Sequence, residues 1–271
     1  MSRNVFVLVG HSLRRIRGAL LVLGLLLAAF QFLLTQVAAY LMRQNAFSQL
    51  SALIPEFVRT AAGPSALGFM SFAGVVALGY FHPVVISALV GLMIAVATEP
   101  AGEVETRFVD LTLARPLRRV DAITRTVVVL IVSGCLMLGL MMAGTWTGLT
   151  CCTPANAERP SFELVWSLAF SLATVMACWA GVALAIAAAA RRRAVGGAVA
   201  GVLALAAYLL DYLGRAWEPA SAVSTLSPFH YFEPMTLVMG QAMSGRNTAI
   251  LLTIALAGTA FGYVIFARRD F

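Results

Sequence analysis

The chain has 271 residues, 61% of them hydrophobic and 11% charged, with a formal net charge of +7 and a mean hydropathy of +0.89. Soluble domains carry about 25% charged residues, so this is the composition of an integral membrane protein. All 19 basic residues are arginine, which excludes a P-loop, whose lysine must reach the terminal phosphates, and lysine Schiff-base catalysis.

Residues 2–17 predict an amphipathic helix, with Val5, Val9, Leu13 and Ile16 at helical spacing and Arg14, Arg15 and Arg17 gathered at its end. Such a helix can lie in the headgroup layer with its arginines near anionic lipid; the alternative is a polar lead-in with juxtamembrane charges. No cleavable signal peptide is expected, because the following apolar run is long enough to span. Residues 19–42 form the first expected span. Its Gln31 and Gln36 are read either as lining a substrate path or as interhelical hydrogen-bonding groups. Residues 43–64 return to water, with a surface segment around 50–58. The second span covers about 69–98, with a kink expected at His82-Pro83 and a packing or capping role for His82.

The interval 99–125 is the longest charged stretch, holding five of the nineteen arginines and five of the twelve acids. Spans follow at about 127–149, 162–190, 195–210 and 249–267. Residues 214–246 are too polar and proline-broken to cross, yet rich in aromatic residues and methionine, and predict a folded cap with short interfacial helices. Six spans put both termini on one side. That side carries fourteen arginines: four near the N-terminus, five in 99–125, three at 191–193 and two at the C-terminus. The opposite side has five. The positive-inside rule makes the arginine-rich side cytoplasmic, giving a multi-pass protein of the plasma (inner) membrane in contact with the lipid bilayer, and no nucleic-acid partner.

The spans hold no acid or arginine away from their ends, so the ionisable groups on which proton- or sodium-coupled carriers depend are missing. There is no HExxH motif, no serine partner for His82 and no paired carboxylates at hydrocarbon depth, so no catalytic residue is assigned and the chain is not read as an enzyme. The four cysteines lack zinc-ligand spacing, and no metal site is assigned. Cys151 and Cys152 allow a bridge or two unpaired thiols. Within 99–125, acids and arginines alternate with Val104, Phe108, Val109, Leu111 and Leu113, a mixture suited to a protein surface, so Glu103, Glu105, Arg107, Asp110, Arg115, Arg118 and Arg119 are the expected docking residues for a partner. If nucleotide energy drives the protein, another chain must hydrolyse it.

Glu99, Glu103 and Glu105 followed by Asp110-Leu111-Thr112-Leu113-Ala114-Arg115-Pro116-Leu117-Arg118-Arg119 resemble a cytoplasmic loop of ATP-binding-cassette (ABC) transporter permeases of the type-2 export class. Ser227-Pro228-Phe229-His230-Tyr231 before the last span, and Phe266-Ala267-Arg268-Arg269-Asp270-Phe271 at the end, are similar to segments of the same subunits. Thr106-Arg107-Phe108 departs from the Gly-Thr often found in that loop. The resemblance covers the whole chain as one permease domain. It implies an all-α, six-span domain like that of a type V ABC exporter, with 2–17 as connecting helix, 99–125 as coupling loop and 214–246 as extracytoplasmic gate region. It also implies a cytoplasmic ATPase subunit that binds ATP and Mg, a second permease subunit, identical or paralogous, and no cofactor on this chain. The expected function is then ATP-driven export of an amphipathic, lipid-like or drug-like molecule. A non-transporting scaffold or assembly protein and a nucleotide-independent channel or facilitator are the rival readings.

Overall fold

The computed structural model describes residues 3–47, 71–106, 119–154 and 159–268, and among these the regular structure is helical throughout. The surface segment expected at 50–58 lies outside the described residues. Helix α1 runs unbroken over Arg3–Arg43. At 1.5 Å per residue its 41 residues extend about 60 Å, twice the roughly 30 Å hydrocarbon core of a bilayer. The expected separation between an interfacial helix at 2–17 and a span at 19–42 is therefore absent. No proline interrupts the stretch, and the isolated Gly10 and Gly18 do not break the hydrogen-bond ladder. Its apolar stripe is also turned inward: Val5 and Val9 are buried in the main core, with Leu13 and Ile16 packed against it, while Phe6 and Val7 face outward.

The second span is two helices, α2 (Phe72–Phe81) and α3 (Pro83–Ala97). They break at His82, as the His-Pro pair predicts, because proline lacks the N–H that would continue the ladder. His82 caps the new helix: its Nδ1 accepts from the Val84 N–H at 3.3 Å. A short helix α4 (Glu99–Glu105) follows at once. Helix α5 (Arg119–Cys152) begins earlier than hydropathy alone suggests, so Asp121 and Arg125 lie on a helix rather than in a loop. Helices α6 (Phe162–Ala189) and α7 (Arg193–Ala216) complete the fourth and fifth spans. The cap contains a 3-10 turn at Glu218–Ala220, α8 (Ser221–Ser224), a second 3-10 turn at Pro228–Tyr231, and α9 (Pro234–Val238). Helix α10 (Gly245–Arg268) is the sixth span. Among the described residues six helices or broken helices are thus long and apolar enough to cross a membrane, and the chain is a multi-pass helical membrane protein.

Two parallel helix pairs organise the bundle. Helix α1 packs along α5 at Gly24 on Leu140, Ala28 on Gly144 and Thr35 on Gly148. Helix α6 packs along α10, with Gly181 against Ala255 and Gly258 and with Leu184 against Gly262. Both contacts use small residues to bring backbones together, as membrane helices do when apolar burial cannot distinguish protein from lipid. Helices α2 and α3 fill the space between the pairs, and Tyr80, fully buried, bonds the Thr145 hydroxyl at 3.0 Å. The α4 end of the bundle also holds the start of α1 and the end of α10, where the Tyr263 and Thr124 hydroxyls meet at 2.9 Å.

A Cβ on Gly144 would stand 2.2 Å from the Ala28 carbonyl oxygen, whereas one on Gly139 would meet nothing within 4 Å. Gly144→Val is expected to cost at least the roughly 1–3 kcal/mol typical of overpacking and to lower the unfolding temperature of the purified protein. Gly139→Ala is expected to leave that temperature unchanged or raise it, since alanine is the better helix former. Equal losses in the two variants would show that the α1–α5 approach is not limiting.

Candidate functional site: an ion-paired node beside the charged loop

The sequence builds α4 between two constraints. Thr98 ends α3 by donating its hydroxyl to the Ile94 and Ala95 carbonyls, at 3.0 and 3.1 Å. Pro100 then starts the next helix within its first two positions, where its missing N–H costs nothing. The Thr106 hydroxyl closes the far end on the Gly102 carbonyl at 2.9 Å. The result is a seven-residue acidic helix at one end of the bundle, immediately before residues 107–118.

Two bonds fasten this helix to other spans. Glu103 accepts from Arg125 Nη1 on α5, with the arginine side chain 4% exposed and the glutamate 15%. Glu105 accepts from the backbone N–H of Arg193, the first residue of α7, at 2.9 Å. Arg193 in turn donates through Nη2 to the Ala95 carbonyl of α3 at 2.9 Å. Gly102 permits that arrangement, because a Cβ there would lie 3.1 Å from Arg193 Cδ. Glu99 is also buried, and its Oε2, like Arg125 Nε, has no hydrogen-bond partner among the described residues.

The residues expected to dock a partner thus separate. Glu103 and Glu105 are engaged within the chain, which makes them anchors of α4. Arg107, Asp110, Arg115 and Arg118 lie outside the described residues, and Arg119 opens α5 with its side chain likewise outside them. Sequence reasoning missed the anchoring role of Arg125. The available signal was its place just ahead of the apolar run that starts at Val127, where an unpaired charge is costly.

Gln31 sits between α1, α2 and α5 and is fully buried. Its amide lies over Gly79, so close that a Cβ on the glycine would come within 2.4 Å of Oε1. It is packed into the interface, and its amide atoms have no partner among the described residues. Gln36 is half-buried and has partners. Cys135, Cys151 and Cys178 are free thiols. Among the described residues no cluster of three histidine, cysteine or acidic side chains could hold a metal ion.

At the other end of the bundle the cap folds onto α6 and α7. Phe229 stacks on Trp179 with ring centroids 5.6 Å apart and meets Tyr208 edge-on at 5.5 Å. The Ser227 hydroxyl donates to the Ala207 carbonyl at 2.7 Å, and Asn247 donates to Glu233 at 3.1 Å. These bonds attach the segment 217–244 to three spans.

No family model matches the chain, and neither the curated proteins nor the solved structures compared with it contain a match. The class that fold and site define is a multi-pass helical membrane protein, with six candidate spans among the described residues and an acidic helix clamped to two of them.

Removing one partner of a buried ion pair leaves the other uncompensated and typically costs about 3–5 kcal/mol. Arg125→Gln is therefore expected to destabilise the protein strongly, and adding Glu103→Gln is expected to recover part of the loss. Arg193→Ala is expected to be milder, because the backbone N–H that Glu105 accepts survives the substitution. Thermal unfolding of these three variants and of Glu103→Gln alone, each against the parent, decides the matter; strictly additive losses for positions 103 and 125 would show that the pair is not coupled.

Proposed function

We propose that the chain is the membrane-spanning permease subunit of an ATP-driven transporter of the ABC type-2 export class, with ATP and Mg bound by a separate cytoplasmic ATPase subunit. The observation that carries this reading is the clamping of α4. A partner seated on the arginine-rich segment 107–118 would act on a helix fastened to α5 through Glu103–Arg125 and to α7 through Glu105–Arg193. A push at that segment is then delivered to two spans as a rigid-body shift, the kind of displacement by which packed helices switch between two arrangements. The absence of lysine supports a separate chain as the source of ATP hydrolysis.

In this reading Arg115, Arg118 and Arg119, with Arg107 and Asp110, form the docking surface, and Glu103 and Glu105 hold it in place. The arginine-rich end of the bundle, with both chain ends, faces the cytoplasm of a plasma (inner) membrane. A second permease subunit, identical or paralogous, completes the translocation path. The substrate is an amphipathic, lipid-like or drug-like molecule, matched to spans of low polarity.

Purification from native membranes in mild detergent is expected to recover a stoichiometric soluble chain bearing a P-loop. Charge reversal of Arg115, Arg118 and Arg119 together is expected to release that chain and abolish ATP-dependent transport while the protein still inserts. Recovery of no such chain, even after crosslinking, would overturn the ATP-driven reading in favour of a scaffold, and flux without nucleotide would favour a channel.

A further inference from the structure

A cleft near the cap is built from parts that the proposed coupling does not use. It opens between the end of α2, the last turns of α7 and the cap, with a cavity volume of about 200 Å³. Phe81, Tyr212, Phe229 and Phe232 contribute rings to its wall, and Asp211 and Arg215 contribute its charges. It is open beside the exposed Tyr212 and the half-exposed Arg215 side chain, and closed by the buried Phe229 and Phe232. For scale, an apolar cavity of about 150 Å³ takes up benzene, so the space admits a ring or a short aliphatic body.

Asp211 is the informative group. It is 6% exposed, and only one of its carboxylate oxygens is satisfied: Oδ2 accepts from Arg215 Nε at 2.9 Å. Oδ1 has no hydrogen-bond partner among the described residues. His230 Nδ1 stands 3.9 Å away, beyond hydrogen-bond reach, and lies 3.3 Å from the Ser224 hydroxyl. Oδ1 is itself shut off from the open space of the cleft; a buried carboxylate oxygen left without a donor carries the desolvation cost of that group, and a small turn of the Asp211 side chain toward the cleft lets a ligand N–H remove it. An anion would meet the same oxygen with repulsion. The exposed Tyr212 ring at the opening adds a preference for a cation over a neutral group, because an aromatic quadrupole attracts positive charge.

We infer that this cleft binds an organic ammonium ion, its N–H donating to Asp211 Oδ1 and its apolar body resting among Phe81, Tyr212, Phe229 and Phe232. The site belongs to the single chain and stands apart from the ATP-driven reading, since it needs neither nucleotide nor partner.

The test uses the full chain in nanodiscs of neutral phosphatidylcholine and three probes of similar shape: phenethylammonium, phenethyl alcohol and phenylpropionate. Calorimetry is expected to show the ammonium binding about tenfold more tightly than the alcohol, the difference a charged hydrogen bond supplies, with no binding of the carboxylate. Asp211→Asn is expected to erase the preference. Arg215→Gln is expected to raise ammonium affinity severalfold, because it frees the second carboxylate oxygen; a purely structural role for the pair predicts loss in both variants. Tyr212→Ala, which alters an exposed ring, is expected to weaken ammonium binding severalfold with the unfolding temperature unchanged, and it tests the site if Asp211→Asn fails to fold. Equal affinity for ammonium and alcohol, or a preference that survives Asp211→Asn or an affinity untouched by Tyr212→Ala, overturns the inference.

Discussion

A guanidinium removed from water must find its charge and hydrogen bonds inside the protein, and Arg125 finds them in Glu103. That requirement draws the first helical turns of α5 against α4 and fixes where the chain re-enters the bundle after residues 107–118. Glu105 repeats the device on α7, using a backbone N–H at the helix start as donor. Helix α4 is only seven residues long and could not persist in isolation. It is held by these two attachments, by the Thr106 hydroxyl at its end, and by the packing of Ala101 and Val104 against the core.

The apolar packing has a different task. Within hydrocarbon, burying a leucine gains little over leaving it in lipid, so helices are held by close backbone approach and by polar contacts. Gly144 against Ala28, and Gly181 against Ala255, provide the first. The Tyr80–Thr145 pair provides the second. Gln31 lies close to both, with its amide over Gly79 in the interface that α1 shares with α2 and α5. A polar side chain so enclosed is a constraint on how α1 and α2 can slide, because any shift changes what surrounds its amide.

The two ends of the bundle are thus finished by different chemistry. One end uses acidic side chains to pin a short helix against arginines. The other stacks aromatic rings, with Phe229 seated between Trp179 and Tyr208, and leaves the carboxylate of Asp211 at the back of a small cleft. Helix α7 joins the two, starting at Arg193 in the node and ending near Asp211 and Arg215 at the cleft. It offers a direct mechanical line between the charged loop and the cap.

The sequence by itself determined the membrane class, the number of spans and the helix break at His82, because each follows from local chemistry. Apolar runs of spanning length, and a proline without its N–H, do not depend on neighbours in space. It also located the acidic stretch before 107–118. Tertiary structure alone decided that Glu103 reaches Arg125 and Glu105 the Arg193 N–H, that Val5 and Val9 face the core instead of lipid, and that the Gln31 amide packs over Gly79. Those outcomes depend on which residue from a distant helix arrives opposite. Arg125 is twenty-two positions from Glu103, Gly79 is far in sequence from Gln31, and neither meeting is written in local periodicity. Direction of a side chain in a bundle is a property of the whole packing, and a single helix carries only half of each pair.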